Sequence, residues 1–100
     1  AEMAFAGGLG INVDLRGLPK SKDCCQPDTQ LFSESNSRYV VEVEPKNYNA
    51  FAKLMLNLPF GQIGKVMEDK KLVIRADGGN AVIEADIDSL KKAWQKPFDW

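Results

Sequence analysis

A two-layer α+β sandwich, with a mixed, mainly antiparallel sheet and helices on one side, is what this sequence predicts. Three observations carry the prediction. Short β-rich runs alternate with segments of helical period from Ser37 onward, in the order strand, helix, strand, strand, strand, helix. Both helical segments have apolar residues on one side only. A tight turn signal, Asp77-Gly78-Gly79-Asn80, joins two of the short runs. At 100 residues the chain holds one modest domain.

Taken in order, Ala1 to Ala6 are good helix formers, and Gly7-Gly8 suits a helix C-cap. The chain opens without Met and without an N-cap, so residues 1–6 are expected to be the last turns of a longer helix. Ile11, Val13 and Leu15 alternate with polar residues and predict a strand. Residues 16–29 lose periodicity and carry Gly17, Pro19 and Pro27, which predicts a loop. Leu31 to Ser35 reads equally as one helical turn or a β-turn. Ser37 to Glu44 is expected as a strand, with Tyr39, Val41 and Val43 on one side, ended by Pro45. Tyr48, Phe51, Ala52, Met55 and Leu58 then fall on one helical face, and Pro59 stops the helix. Extended pattern returns over Phe60–Met67, and Glu68-Asp69-Lys70 is a polar turn. Lys71–Arg75 and Ala81–Ile87 are the arms of the Asp77–Asn80 hairpin. Asp88 is placed to cap a last helix containing Leu90, Ala93 and Trp94, which Pro97 ends. Phe98 and Trp100 are expected to pack back onto a neighbour. The whole is partly ferredoxin-like.

Composition narrows the chemistry. Histidine is absent, so no Ser-His-Asp or Cys-His nucleophile pair is built within this chain, and the commonest transition-metal ligand is missing. Lys plus Arg number 13 against 14 Asp plus Glu, which leaves no basic stripe for nucleic acid. No apolar run approaches a membrane span, and the first residues lack the pattern of a secretory leader. Cys24 and Cys25 are adjacent, a spacing that rarely bridges, and both are expected as free thiols in a reducing cytoplasm.

The stretch Leu31–Val41 concentrates the polar candidates. Ser33, Ser35 and Ser37 offer hydroxyls beside Glu34 and Arg38, and Arg38 is able to grip a phosphate bidentately. The same residues also suit a structural corner, with Ser capping backbone amides and Glu34–Arg38 as a local ion pair. Gly7-Gly8-Leu9-Gly10 follows a helix and precedes a strand, the reverse of a dinucleotide fingerprint, so it reads as a connector. Cys24-Cys25 would need Asp23, Asp28 or water to complete a metal site, and loop cysteines are the simpler reading. The Tyr48/Phe51/Met55 stripe is helix core, and Lys91-Lys92 is a solvated helix face.

Three landmarks carry a family resemblance: Ala1-Glu2-Met3-Ala4-Phe5-Ala6-Gly7-Gly8-Leu9-Gly10, Leu31-Phe32-Ser33-Glu34-Ser35-Asn36-Ser37-Arg38-Tyr39, and Gly61-Gln62-Ile63-Gly64-Lys65-Val66. With the ending Leu90-Lys91-Lys92-Ala93-Trp94 and Phe98-Asp99-Trp100, they resemble the C-terminal end of the phosphoribosylformylglycinamidine synthase large-subunit family. That family belongs to the AIR-synthase-related superfamily. The resemblance implies a single, truncated AIR-synthase-related C-terminal domain over residues 1–100. It implies a parent ligase of purine biosynthesis that uses ATP, Mg²⁺ and glutamine-derived ammonia to make formylglycinamidine ribonucleotide from formylglycinamide ribonucleotide. Implied partners are the N-terminal portion of the same enzyme, a glutaminase subunit and a small accessory subunit. It further implies that the fragment alone binds neither ATP nor Mg²⁺ and does not catalyse. No catalytic or metal-binding residue is assigned, and Glu34, Ser35, Ser37 and Arg38 are the expected substrate-side contacts. Self-association through surface that the missing portion would cover is also expected. A non-catalytic ferredoxin-like binding module and another member of the superfamily stay open as rival readings.

Overall fold

The computed structural model describes residues 1–98. The chain divides into two units. One joins residues 1–18 to the stretch from Gln62 onward, and the other is Pro19–Gly61.

The first unit is a four-stranded mixed sheet with helices. Its strands are β1 (Gly10–Asp14), β2 (Gly64–Met67), β3 (Lys71–Arg75) and β4 (Ala81–Asp86), in the order β2-β1-β3-β4. β1 runs parallel to β3, and the β1–β2 and β3–β4 pairs are antiparallel. Two helices complete the unit, α1 (Glu2–Gly7) and α4 (Ile87–Gln95). This is the predicted α+β class.

Alternation within the strands sorts their side chains. Val13, Leu72 and Ile74 are buried with Ala4 and Phe5 of α1, Leu15 and Ile87. The Phe5 and Trp94 rings meet at 5.8 Å between centroids and bring α1 against α4. The intervening positions, Asn12 and Asp14 of β1 and Val73 and Arg75 of β3, belong to the opposite face. The α1 C-cap forms as expected: Gly8 adopts φ 70 and its amide donates to the Ala4 carbonyl. The β3–β4 turn likewise places Gly79 at φ 81.

Glu68-Asp69-Lys70 turns the chain as predicted, yet it does not make β2 and β3 neighbours, because β1 lies between them. The link passes over Gly10. A Cβ there would overlap the Asp69 carbonyl oxygen, so this crossing requires glycine. The last helix starts earlier than expected. Asp86 is its N-cap in place of Asp88, and its carboxylate accepts from the Ser89 amide at 2.8 Å. Ile87 therefore turns inward at the strand–helix junction, fully buried at 0% exposure, and its amide donates to the Lys70 carbonyl at 3.0 Å. Phe98 is 73% exposed and does not pack back. Trp100 lies outside the described residues.

The second unit contains α2 (Pro27–Phe32) and α3 (Tyr48–Leu54). α2 occupies the end of the expected loop. Pro27 begins this helix, because the first turn has no use for the missing N–H. α3 ends sooner than the apolar stripe suggested. Its exit tightens into bonds from Leu56 to Lys53 and from Leu58 to Met55, as Pro59 disfavours helical backbone before it. Of the predicted face, Phe51, Ala52 and Met55 are half-buried, whereas Tyr48 and Leu58 are exposed, and α3 buries no residue fully, so the stripe is not a closed core. Ser37–Glu44 is not a strand. Ser37 has φ 60, Tyr39 is 87% exposed, and no described strand pairs with the segment. β-branched residues favour a pleated, half-covered surface, and without a ladder the preference alone does not make a strand.

Candidate functional site

Two groups of polar residues merit description, one in each unit. In the sheet unit, β1 ends on Asp14 and the chain turns at once through Leu15–Gly17. The turn brings Arg16 back onto Asp14. Arg16 Nε donates to both carboxylate oxygens, at 2.9 and 3.0 Å, and the Arg16 amide donates to Oδ1 at 3.0 Å. Arg16 Nη2 adds a further bond to Oδ2. The side-chain hydrogen bonds from Arg16, with its amide and its charge, hold the Asp14 carboxyl down at about 2, well below the ordinary 3.8. The carboxylate raises Arg16 in turn.

Beside this pair the sheet opens into a cleft of about 560 Å³. Gln62, Lys65 and Arg75 line it with Asn12, Asp14 and Arg16. The register explains the grouping. Asn12 sits opposite Lys65 of β2, and Asp14 lies beside Arg75 of the parallel strand β3. Close approach at Gly64, where a Cβ would overlap the Asn12 carbonyl oxygen, seats β2 on β1. Sequence reading singles out none of Arg16, Lys65 or Arg75. The available signal is partial: alternation puts Asn12, Asp14 and Arg75 on one face, while Lys65 joins them only through its register with Asn12 and Arg16 through its bonds to Asp14.

In the second unit, α2 stops at Phe32 and Ser33 leaves it in extended backbone. Residues 34–38 are therefore not helical, and Glu34 and Arg38 are not one helical turn apart. The structure brings Arg38 to Ser33, with Nη1 donating to Oγ at 3.3 Å. Among the described residues no ion pair joins Glu34 to Arg38. Glu34, Ser35, Ser37 and Arg38 are all exposed, and Ser37 carries the left-handed turn. Gln30 is the buried polar residue nearby in sequence: its Nε2 donates to the Cys24 carbonyl at 2.8 Å, and its Oε1 has no partner. Cys24 and Cys25 are free thiols.

The glycine motifs behave as connectors. Gly7–Gly10 runs from helix to strand, and Asp77–Asn80 from strand to strand. Among the described residues no group of three or more His, Cys, Asp or Glu could hold a metal ion. No helix of the described residues is long and apolar enough to cross a membrane.

A family profile described as AIR synthase related protein, C-terminal domain, matches residues 1–77. The chain belongs to this family. The matched residues of this AIR synthase related domain run from α1 to Asp77, where the β3–β4 turn begins, and β4 and α4 follow them. The chain is 42% identical over 99 residues to the phosphoribosylformylglycinamidine synthase subunit PurL of Deinococcus radiodurans, covering 98% of this chain and 13% of that protein. The subunit of the same name from Lactobacillus helveticus is 34% identical over 96 residues, 96% of this chain and 11% of the relative. That of Thermoplasma volcanium is 27% identical over 99 residues, 99% of this chain and 12% of the relative. The chain thus spans 11–13% of the length of these curated relatives. No solved structure matches it at a significant level.

Proposed function

We propose that this chain serves as the C-terminal segment of a phosphoribosylformylglycinamidine synthase large subunit. The observation that carries the reading is end-to-end similarity to the Deinococcus radiodurans subunit, 42% identity over 98% of the chain. The parent enzyme is an ATP-dependent ligase of purine biosynthesis. It converts formylglycinamide ribonucleotide to formylglycinamidine ribonucleotide with ammonia drawn from glutamine. In this reading residues 1–100 are one truncated C-terminal domain that works in the cytoplasm. Its partners are the remaining portion of the large subunit, a glutaminase subunit and a small accessory subunit.

ATP and Mg²⁺ belong to the parent reaction. Mg²⁺ takes oxygen ligands, usually one or two carboxylates with water and phosphate. Among the described residues no group of three or more acids gathers, and Asp14, the carboxylate of the cleft, accepts from Arg16 through both oxygens, so this chain supplies no ready set of oxygens for the ion. The role proposed for this chain is to close the substrate side. Glu34, Ser35, Ser37 and Arg38 supply its contacts, with Arg38 offering a planar pair of donors to a phosphate or carboxylate. The isolated chain has no activity in this reading.

A chimera tests the proposal. The matching segment of the Deinococcus radiodurans subunit is replaced by this chain, and ADP release is followed with formylglycinamide ribonucleotide, ATP and ammonia. Activity within about tenfold of the parent is expected, and loss of activity on deleting the segment. A folded, soluble chimera without activity would overturn the reading. Within an active chimera, Arg38→Ala should raise KM for the ribonucleotide by about tenfold, the worth of one charge-assisted contact.

A further inference from the structure

We propose that the open cleft of the sheet unit binds a phosphate-type dianion, with Lys65 and Arg75 as its charged ligands. The inference stands apart from the parent reaction, because it rests on how the charges of this cleft are spent.

The cleft lies where the parallel strands β1 and β3 end, at Asp14 and Arg75. Crevices outside the carboxyl ends of strands are where open α/β sheets receive ligands. Three cations and one carboxylate line it. Arg16 is consumed: its guanidinium is bound to Asp14, and the Asp77 carboxylate also acts on it. Asp14 is consumed in the same bonds, since both its oxygens accept from Arg16. Arg75 therefore feels the charge of its register neighbour Asp14 but has no described hydrogen bond to it. Its one described hydrogen bond is a long one, Nη1 to the Gly79 carbonyl at 3.4 Å. A guanidinium carries five donors, so most of this one is unused, on a residue only half-exposed.

Lys65 has three donors and no partner among the described residues. Asn12, opposite it, and Gln62 add neutral amide donors on the same wall. Two unspent cations flanked by amides match a tetrahedral oxyanion better than a single carboxylate, because three oxygens and a double charge can each find a donor. Arg16 takes a different part. Bonded to Asp14, it offsets the charge of the one carboxylate on this lining.

The test is titration of the ¹⁵N-labelled full chain, followed by amide shifts at constant ionic strength. Inorganic phosphate and glycerol 2-phosphate are the probes, and sodium chloride is the control arm. Saturable shifts are expected at Asn12, Gln62–Lys65 and Arg75. Binding of inorganic phosphate alone identifies a free ion, whereas binding of both probes identifies a phosphate monoester, and either supports the site. The variant K65Q/R75Q should weaken binding at least tenfold, while K91Q/K92Q on α4 leaves it unchanged. If K65Q/R75Q loses spectral dispersion, K65Q alone, on an exposed side chain, should weaken binding at least threefold. Non-saturating shifts matched by chloride would overturn the proposal. So would an unchanged affinity in a folded K65Q variant.

Discussion

The two units of this chain spend their apolar residues differently. Every buried apolar residue, from Ala4 to Ile87, belongs to the sheet unit. In residues 19–61 the one buried residue is Gln30, at 6% exposure, with an orphaned Oε1. That unit meanwhile exposes Phe32, Tyr39, Val40, Val41, Leu54, Leu56 and Leu58. Apolar side chains left this exposed are what a covering partner would bury, and here they have no buried apolar core beneath them as those of the sheet unit do. The difference teaches that one half of the chain is held by its own packing, while the other has the sequence of a folded element without the contacts to use it.

Deleting core atoms gives the largest expected effect. Ile87→Ala should cost about 2–5 kcal/mol in denaturant unfolding, because Ile87 is completely enclosed where β4 meets α4. A loss under about 1 kcal/mol would place the core elsewhere. Gly10→Ala comes next, at about 1–3 kcal/mol, since the Asp69 backbone must move to admit a methyl group. An unchanged melting curve would show that the β2–β3 link does not cross there. The counterpart in the second unit is Leu54→Ala, on a side chain 79% exposed, and its effect should stay within about 0.5 kcal/mol.

A smaller effect is set by pH. Asp14 is held down by Arg16, and Asp86 is lowered mainly by the Ser89 amide. Both bind fewer protons folded than unfolded. Their stabilisation is complete above the unfolded carboxylate range near pH 4 and fades as pH falls, for Asp14 through about 2. In Arg16→Gln the Asp14 carboxyl should rise from about 2 toward its ordinary 3.8 but stay below it, because the residue-16 amide still donates to Oδ1, read from its side-chain carbon by NMR. A titration still near 2 would mean that Arg16 is not the cause.

Legibility in the sequence follows the same division. Gly8, the Asp77–Asn80 turn and the alternation of Ile11, Val13 and Leu15 are local signals that the sheet unit follows, with Val13 and Leu15 buried. The Asp86 cap was displaced by two residues because Asp86 and Asp88 are chemically equal, and only the burial of Ile87 chooses between them. The order of strands was hidden, since a three-residue turn reads the same whether it joins neighbours or steps over Gly10. Ser37–Glu44 failed for a different reason: β-branched residues specify a preference, and pairing is a property of the partner. The cleft was hidden because Arg16, Lys65 and Arg75 are ordinary cations in sequence and become a group only through register.

Amide hydrogen exchange tests the contrast most directly, compared between the isolated chain and the chimera that carries it within a full-length subunit. In the isolated chain, amides of β1 and β3 should exchange only through global unfolding, while those of Tyr39–Glu44 exchange like an unstructured peptide. In the chimera, Tyr39–Glu44 should gain protection as the apolar surface is covered. Strong protection of Tyr39–Glu44 in the isolated chain, or none in an active chimera, would contradict the account.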